Sequence, residues 1–252
     1  MNPDFAYVYD EILSDKRFTR DVEQIENELA RRGIEGSTVK ASVLCEAKQI
    51  VKQFVRQSVK NVVLVGSDHL LQAIIELLPE IDVTLGFLPV GPSLIGGLLG
   101  IPSGPKAVDV IAARLVENLD LAQINDRPFL FEVTAPDTLA GIDVHGEYRL
   151  RPSVRGAIAI RNLASGGEGG GISNPVDGML EIVLQAEAQT ESKWGWRKKT
   201  LTETKVFLAT GTMQAAEPFR VFIDGQAYTG ALFTFSILHK KIQLITCKRL
   251  SD

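Results

Sequence analysis

The chain has 252 residues, of which 45% are hydrophobic and 23% charged, a balance typical of a globular protein with a core. Its formal net charge of −4 excludes the strongly basic surface of most nucleic-acid-binding proteins, so we expect no nucleic-acid partner. Cys45 and Cys247 are the only cysteines and lie far apart in the sequence, which excludes a disulfide framework. The sequence shows no signal peptide and no run of ~18 apolar residues, which predicts a cytoplasmic protein.

The first half of the chain alternates strand-like and helix-like segments. Apolar runs of strand length occupy 6–10, 61–65 and 83–90, and apolar residues recur at helical spacing near 18–29, 47–55, 70–78 and 107–116. Such alternation is typical of a mostly parallel sheet with helices on both faces. The first half therefore predicts an α/β sandwich.

Beyond about residue 118 the helical periodicity is lost. Apolar or alternating runs lie at 154–163, 179–188, 205–210, 220–224 and 241–247, and turn-forming residues separate them, as is typical of antiparallel β-structure. Asp177-Gly178 and Asp224-Gly225 each join strand-like runs, and Asp-Gly is a favoured hairpin turn. We therefore predict two domains, an α/β domain at 1–125 and a β-rich domain at 126–252 whose last strands pack back on the first.

Two loops follow strand-like runs at the place where open α/β sheets bind ligands, just beyond the carboxyl ends of the strands. The first is Gly66-Ser67-Asp68-His69-Leu70 and the second is Pro89-Val90-Gly91-Pro92-Ser93-Leu94. A glycine lets backbone N–H groups approach a phosphate, a following helix adds partial positive charge, and Asp68 could hold Mg²⁺. The same residue types also serve as ordinary helix caps. On the residues alone, both interpretations stay open.

The two loops and three later motifs follow the order of motifs in one known family. NVVLVGSDHLLQAIIELL resembles the strand, GGDGT loop and helix of diacylglycerol and sphingosine kinases, and FLPVGPSLIGGLLGIP is similar to their second loop. AVDVIAARLVENLDLAQIN, NLASGGEGGGISNPVDGMLEIVL and FRVFIDGQ are similar to the family's later motifs. The resemblance covers most of 60–126 and 160–230. It implies a divergent lipid kinase with an α/β domain like those of NAD kinases and phosphofructokinases, followed by an antiparallel β-rich domain.

The resemblance also implies a role for each matched residue. The predicted nucleotide-binding residues are Asp10, Gly66, Ser67, His69, Gly91 and Ser93. Asp68 and Asp224 are the predicted catalytic and metal-binding residues, Asp68 at the ATP phosphates and Asp224 near the reacting hydroxyl. In the family's chemistry Mg²⁺ neutralises the phosphates of ATP while a carboxylate accepts the proton of a lipid hydroxyl.

Several residues depart from the family pattern. Ser67 and His69 replace glycines of GGDGT, and His69 would cost on the order of 1 kcal/mol if its position required a positive φ. Pro92 removes an N–H donor, and Leu94 replaces a polar amide by hydrocarbon, so both would crowd a phosphate. Gln226 stands where the family has glutamate, and an amide cannot act as a general base. These departures predict weakened or lost kinase activity.

Three functional hypotheses follow. The chain is an ATP- and Mg²⁺-dependent lipid kinase, a degenerate relative that binds a nucleotide or another anion, or a scaffold for homo-oligomer or partner contacts. The basic, aromatic run at 193–199 suits either a membrane surface or a solvated hairpin tip. His69, His145 and His239 share no metal-ligand spacing, so we expect no zinc site.

Overall fold

The structure is a computed structural model that describes residues 4–42, 46–144, 148–152, 154–165, 172–191, 197–247 and 250. Its helices are α1 (Thr19–Arg31), α2 (Ala47–Arg56), α3 (Asp68–Ile74), α4 (Leu94–Leu99) and α5 (Ala107–Ala113). Its strands are β1 (Phe5–Tyr9), β2 (Ser37–Lys40), β3 (Asn61–Gly66), β4 (Thr84–Pro89), β5 (Val116–Ile124), β6 (Arg127–Phe129), β7 (Glu132–Thr138), β8 (Gly141–Val144), β9 (Tyr148–Leu150), β10 (Gly156–Arg161), β11 (Leu180–Glu191), β12 (Arg197–Leu208), β13 (Thr210–Ile223) and β14 (Gln226–Ile245). Short 3-10 helices lie at Glu11–Ser14, Lys16–Phe18, Ile75–Glu80 and Gly104–Lys106.

The chain forms two compact units. The first consists of Met1–Leu119 and Lys240–Asp252, and the second of Asp120–His239. The division therefore falls inside strands β5 and β14, whereas the sequence placed the domain boundary near residue 125.

The first unit contains a parallel sheet in the order β14, β4, β3, β1, β2, in which only the last residues of β14 take part. Each neighbouring pair runs parallel, as in the register of Phe5 with Asn61 and of Asn61 with Thr84. All residues of β1, β3 and β4 are buried, which is why these strands read as continuous apolar runs. The predicted parallel α/β fold of the first half is confirmed.

The helices of this unit present apolar residues to the sheet at helical spacing, as Ile50, Val51 and Phe54 do on α2. The stretch Leu94–Ala113 has the length and apolar composition of a membrane span, contrary to the sequence-based expectation, and half of it is buried inside the protein. Here the stretch forms α4 and α5 with a break between them, because Gly100 and Gly104 adopt positive φ.

The second unit is built from antiparallel strands in the order β12, β11, β10, β7, β13, β14, with β8 paired to β13 and β9, and β6 paired to β5. Its core is formed by inward-facing residues of these strands, including Ile158, Ile160, Ile182, Val221 and Phe235. Asp224-Gly225 forms a two-residue turn between Ile223 and Gln226, with both turn residues at positive φ. The predicted antiparallel second half is confirmed.

Local predictions failed where tertiary contacts determine the structure. The predicted helix at 107–116 ends at Ala113, because Arg114 adopts the left-handed conformation and β5 begins at Val116. The predicted strand at 205–210 is the end of β12 and the start of β13. Asp177-Gly178 is not a hairpin turn, because 173–176 contain no strand. His145, the glycine cluster at 166–171 and the tip residues 193–196 lie outside the described residues.

Candidate functional site

The two predicted loops lie at one edge of the parallel sheet. Strands β1, β3 and β4 end in register at this edge, where Gly66 pairs with Pro89. The Asp10 N–H donates a hydrogen bond to the Val65 carbonyl at 2.9 Å, and the Val90 N–H donates to the Gly66 carbonyl at 2.9 Å. The carboxyl ends of three parallel strands therefore bring Asp10 and both loops together, at the edge where α/β sheets usually bind ligands.

The first loop is bound to Asp10. The Asp10 carboxylate, buried at the end of β1, accepts hydrogen bonds from the Ser67 N–H at 3.0 Å and from the Ser67 hydroxyl at 2.5 Å. Its other oxygen accepts from the Ile12 N–H at 3.3 Å and caps the short helix that follows. Asp10 therefore fixes the turn between β3 and α3.

The two loops are joined by Asp68. One oxygen of its carboxylate accepts a hydrogen bond from the Ser93 hydroxyl at 2.5 Å. The other accepts from the N–H groups of Leu94 and Ile95 at 2.8 and 3.2 Å. Ser93 also caps α4 by accepting from the Gly96 N–H at 2.7 Å. The carboxylate of the first loop therefore occupies backbone donors of the second.

The side chains expected to crowd a phosphate are all exposed. His69 is the second residue of α3, is exposed and has no positive φ, so the cost assigned to it from the family pattern does not arise. Pro92 is exposed, and Leu94 is 84% exposed. Gly91 does adopt φ +83°, and a Cβ there would lie 3.5 Å from Cε1 of Phe18. The side chains of His69, Pro92 and Leu94 therefore face solvent, and whether they crowd a phosphate stays a prediction.

Several backbone donors at this edge are already engaged. The Ser67, Leu94 and Ile95 N–H groups, which a phosphate would need, already donate to Asp10 or Asp68. Two carboxylates beside the loops would also repel phosphate oxygens. Within the described ranges, no three His, Cys, Asp or Glu side chains gather as a metal site.

Asp224, the other predicted catalytic residue, lies in the turn between β13 and β14 of the second unit. Its carboxylate accepts hydrogen bonds from the N–H groups of Leu130, Phe131 and Glu132 at 2.9, 3.0 and 3.0 Å. Burial raises the pKa of Asp224 to about 6, although the hydrogen bonds from these three N–H groups favour the charged form. The Asp224 N–H donates back to the Glu132 carbonyl at 3.0 Å, so this carboxylate anchors the segment between β6 and β7.

A further buried carboxylate, that of Asp120, was not predicted from the sequence. Asp120 is 0% exposed and accepts a hydrogen bond from the Gly178 N–H at 2.8 Å. Its other oxygen lies 3.4 Å from Nδ1 of His239, whose side chain is 65% exposed. A Cβ on Gly178 would lie 2.1 Å from Cε1 of His239, so the imidazole covers this glycine. The signal for Asp120 was a single charge inside the apolar run Leu119-Asp120-Leu121.

Comparison with known proteins gives a likeness at the level of structure. No protein-family model matches the sequence, and no curated protein does. A diacylglycerol kinase from Bacillus anthracis str. Sterne is similar over 97% of this chain and 97% of its own, with a TM-score of 0.78 and 16% identity. A second structure, described as a candidate diacylglycerol kinase from the same strain, has a TM-score of 0.77 and 16% identity over 97% of this chain and 96% of its own.

This likeness confirms the fold that the sequence motifs implied. The low identity fits a divergent relative. A structural likeness at this identity shows the fold and does not show the activity. The chain has the diacylglycerol-kinase-like fold.

Proposed function

We propose that this protein is a catalytically degenerate relative of the diacylglycerol kinases that works in the cytoplasm as a binding or scaffold protein and transfers no phosphate. The observation that carries the proposal is the position of the Asp68 carboxylate on the N–H groups of Leu94 and Ile95. Phosphoryl transfer depends on positioned donors and charge stabilisation at the phosphates. In this protein the Asp68 carboxylate accepts the hydrogen bonds of those donors.

The charge of the sheet edge supports the same conclusion. Asp10 and Asp68 place two carboxylates on the loops. Within the part of the chain that the structure describes, their hydrogen-bond partners are N–H and hydroxyl groups, with no lysine or arginine among them. An ATP-binding loop would instead need cationic or metal charge to offset a triphosphate. The edge therefore favours a self-contained hydrogen-bond network over a nucleotide.

The proton acceptor of the family chemistry is also compromised. Both oxygens of Asp224 accept backbone hydrogen bonds, and Gln226 carries an amide where the family has a carboxylate. A general base must reach the hydroxyl that it deprotonates. A carboxylate held by three N–H groups is better suited to a structural role.

The test combines thermal melting with a phosphotransfer assay. We expect no shift in melting temperature with MgATP, whereas a nucleotide at 100 times its Kd would add about 2.7 kcal/mol of stability. We also expect no labelled product from diacylglycerol or a long-chain base, with an active diacylglycerol kinase run in parallel as the positive control. Transfer of label to either lipid would refute the proposal.

A second candidate function is an active lipid kinase with divergent loops that uses ATP and Mg²⁺. The observation that favours it is the pKa of Asp224, which burial raises to about 6, near the value that suits a general base at neutral pH. This candidate predicts that Asp68→Asn abolishes a MgATP-dependent melting shift. The degenerate-site proposal predicts no such shift in either the wild type or Asp68→Asn.

A further inference from the structure

An open cavity of about 560 Å³ lies in the second unit, beside a distortion of β13. Gln214 pairs with Leu232 and Phe219 pairs with Gly230, so residues 215–218 of β13 stand opposite residue 231 alone. Such a bulge bends the strand and leaves backbone out of the ladder. Residues 214–219 form one wall of the cavity, and residues around β8 and β9 form the other.

Three arginines line this cavity: Arg149, Arg151 and Arg155. Asp143 accepts from Nε of Arg149 at 2.8 Å and from its Nη2, and Asp137 accepts from Nε of Arg155 at 2.9 Å. Each pair leaves the Nη1 group without a hydrogen-bond partner among the described residues. Two guanidinium groups are therefore held in fixed orientations.

Arg151 differs from the other two arginines. It is exposed, and within the described part of the chain no carboxylate pairs with it. The aliphatic part of the Arg151 side chain lies against Gly141, because a Cβ on Gly141 would be 3.0 Å from Cγ of Arg151. Asp143 and Asp137 pair with the other two arginines, so Arg151 supplies the guanidinium group that no carboxylate of the described residues holds, and Glu217 contributes one negative charge to the same lining.

The rest of the wall is apolar. Leu139 is 52% exposed, and Phe219 is 8% exposed and packs edge-to-face on Phe233 at 5.3 Å. Ala215, Ala216 and Pro218 complete this side. A cavity with guanidinium groups at one side and hydrocarbon at the other fits a ligand that has both an anionic and an apolar part.

We propose that this cavity binds a phosphomonoester with an apolar body, the phosphate at Arg151 and the apolar body against Leu139 and Phe219. A phosphate presents three oxygens and can meet more than one guanidinium fork, which a carboxylate does less readily. The source is either a lipid headgroup in a bilayer or a free amphiphile. The site lies in the second unit and does not depend on whether phosphoryl transfer has been lost.

The test uses the full chain with a short-chain phosphatidic acid in calorimetric titration, and with phosphatidylcholine vesicles that contain or lack phosphatidic acid. We expect Arg151→Gln to weaken binding about tenfold or more. Arg220→Gln is the matched control, because Arg220 is exposed on β13 next to Phe219 and does not line the cavity, and successive strand residues point to opposite faces. We expect it to bind like the wild type.

The two arms identify the source of the ligand. Binding of the short-chain compound indicates a free amphiphile, and binding only to phosphatidic-acid vesicles indicates a lipid headgroup. No binding in either arm, or an equal loss in Arg151→Gln and Arg220→Gln, overturns the proposal. Arg151→Lys keeps the charge but not the planar guanidinium group, so we expect it to bind the ligand with intermediate affinity. This variant replaces Arg151→Gln in the test if Arg151→Gln has a lowered melting temperature.

Discussion

Gly66 and Asp10 approach so closely that a Cβ on Gly66 would lie 2.2 Å from the Cβ of Asp10. Gly66 also has φ +150°, a conformation that residues with a side chain rarely adopt. From the sequence, this glycine was expected to allow the approach of a phosphate. In the structure the group that approaches Gly66 is the side chain of Asp10.

We expect Gly66→Ala to lower the free energy of unfolding by about 2 kcal/mol or more, because both the close contact and the backbone conformation oppose a side chain. Urea denaturation measures this loss. Gly97→Ala is the control, since a Cβ on Gly97 would meet nothing within 4 Å and the residue lies in α4. The control should be neutral or gain up to about 1 kcal/mol. Equal losses in both variants would contradict this interpretation of Gly66.

The contact between Asp68 and Ser93 should show as energetic coupling between the two loops. We expect Ser93→Ala to cost about 1 kcal/mol as a lost helix cap, and Asp68→Ala to cost more because it leaves the Leu94 and Ile95 N–H groups without their acceptor. A double-mutant cycle should give a coupling energy of about 0.5 kcal/mol or more. Strictly additive losses would mean that the 2.5 Å contact contributes nothing in solution.

Stability should depend on pH through Asp224. Its pKa is raised from 3.8 in the unfolded chain to about 6 in the folded protein, so the folded state binds the proton more tightly. The contribution of Asp224 to stability is therefore full at low pH and is lost as the pH rises through about 6, by up to about 3 kcal/mol.

Asp224→Asn removes this titration and serves as the comparison. The stability of the wild type relative to Asp224→Asn should fall between about pH 4 and about pH 7, measured by urea denaturation at each pH. A relative stability that rises over this range would mean that the three backbone hydrogen bonds outweigh burial and lower the pKa instead.

Asp120 should be needed for the stability of the second unit. Asp120→Ala removes the acceptor of the Gly178 N–H, and an unpaired buried donor costs about 1–3 kcal/mol. Asp120→Asn keeps an oxygen at that position and should cost less. Urea denaturation of both variants tests the ranking. Because both variants remove the negative charge beside His239, equal losses would show that the charge matters more than the hydrogen bond.

The sequence predicted the elements whose structure is determined by their own residue types. The buried strands β1, β3 and β4 are apolar throughout, and the Asp224-Gly225 turn has the residue types that its two positive φ angles favour. Strand β2 was missed because its four residues, STVK, are mostly exposed and carry no apolar run. The parallel order of the sheet placed both loops at one edge, as expected.

The contacts of the candidate site could not be read in the same way. The hydrogen bonds from Leu94 and Ile95 to Asp68 join a side chain to backbone far along the chain, and no local pattern encodes them. His69 was misjudged because a positive φ was carried over from the family motif, whereas α3 here begins at Asp68. The pair of Asp120 and His239 was missed because its members stand at opposite ends of the second unit's sequence.

Strand β4 depends on the far end of the chain. It pairs with β3 on one side and, through Thr84 and Leu85, with Gln243 and Leu244 of β14 on the other. A fragment that stops at Leu119 would expose a buried, hydrocarbon-rich strand edge, a known template for aggregation. The first unit should therefore be expressed only when the carboxyl-terminal segment is supplied, either in the whole chain or through an engineered linker from Leu119 to Lys240.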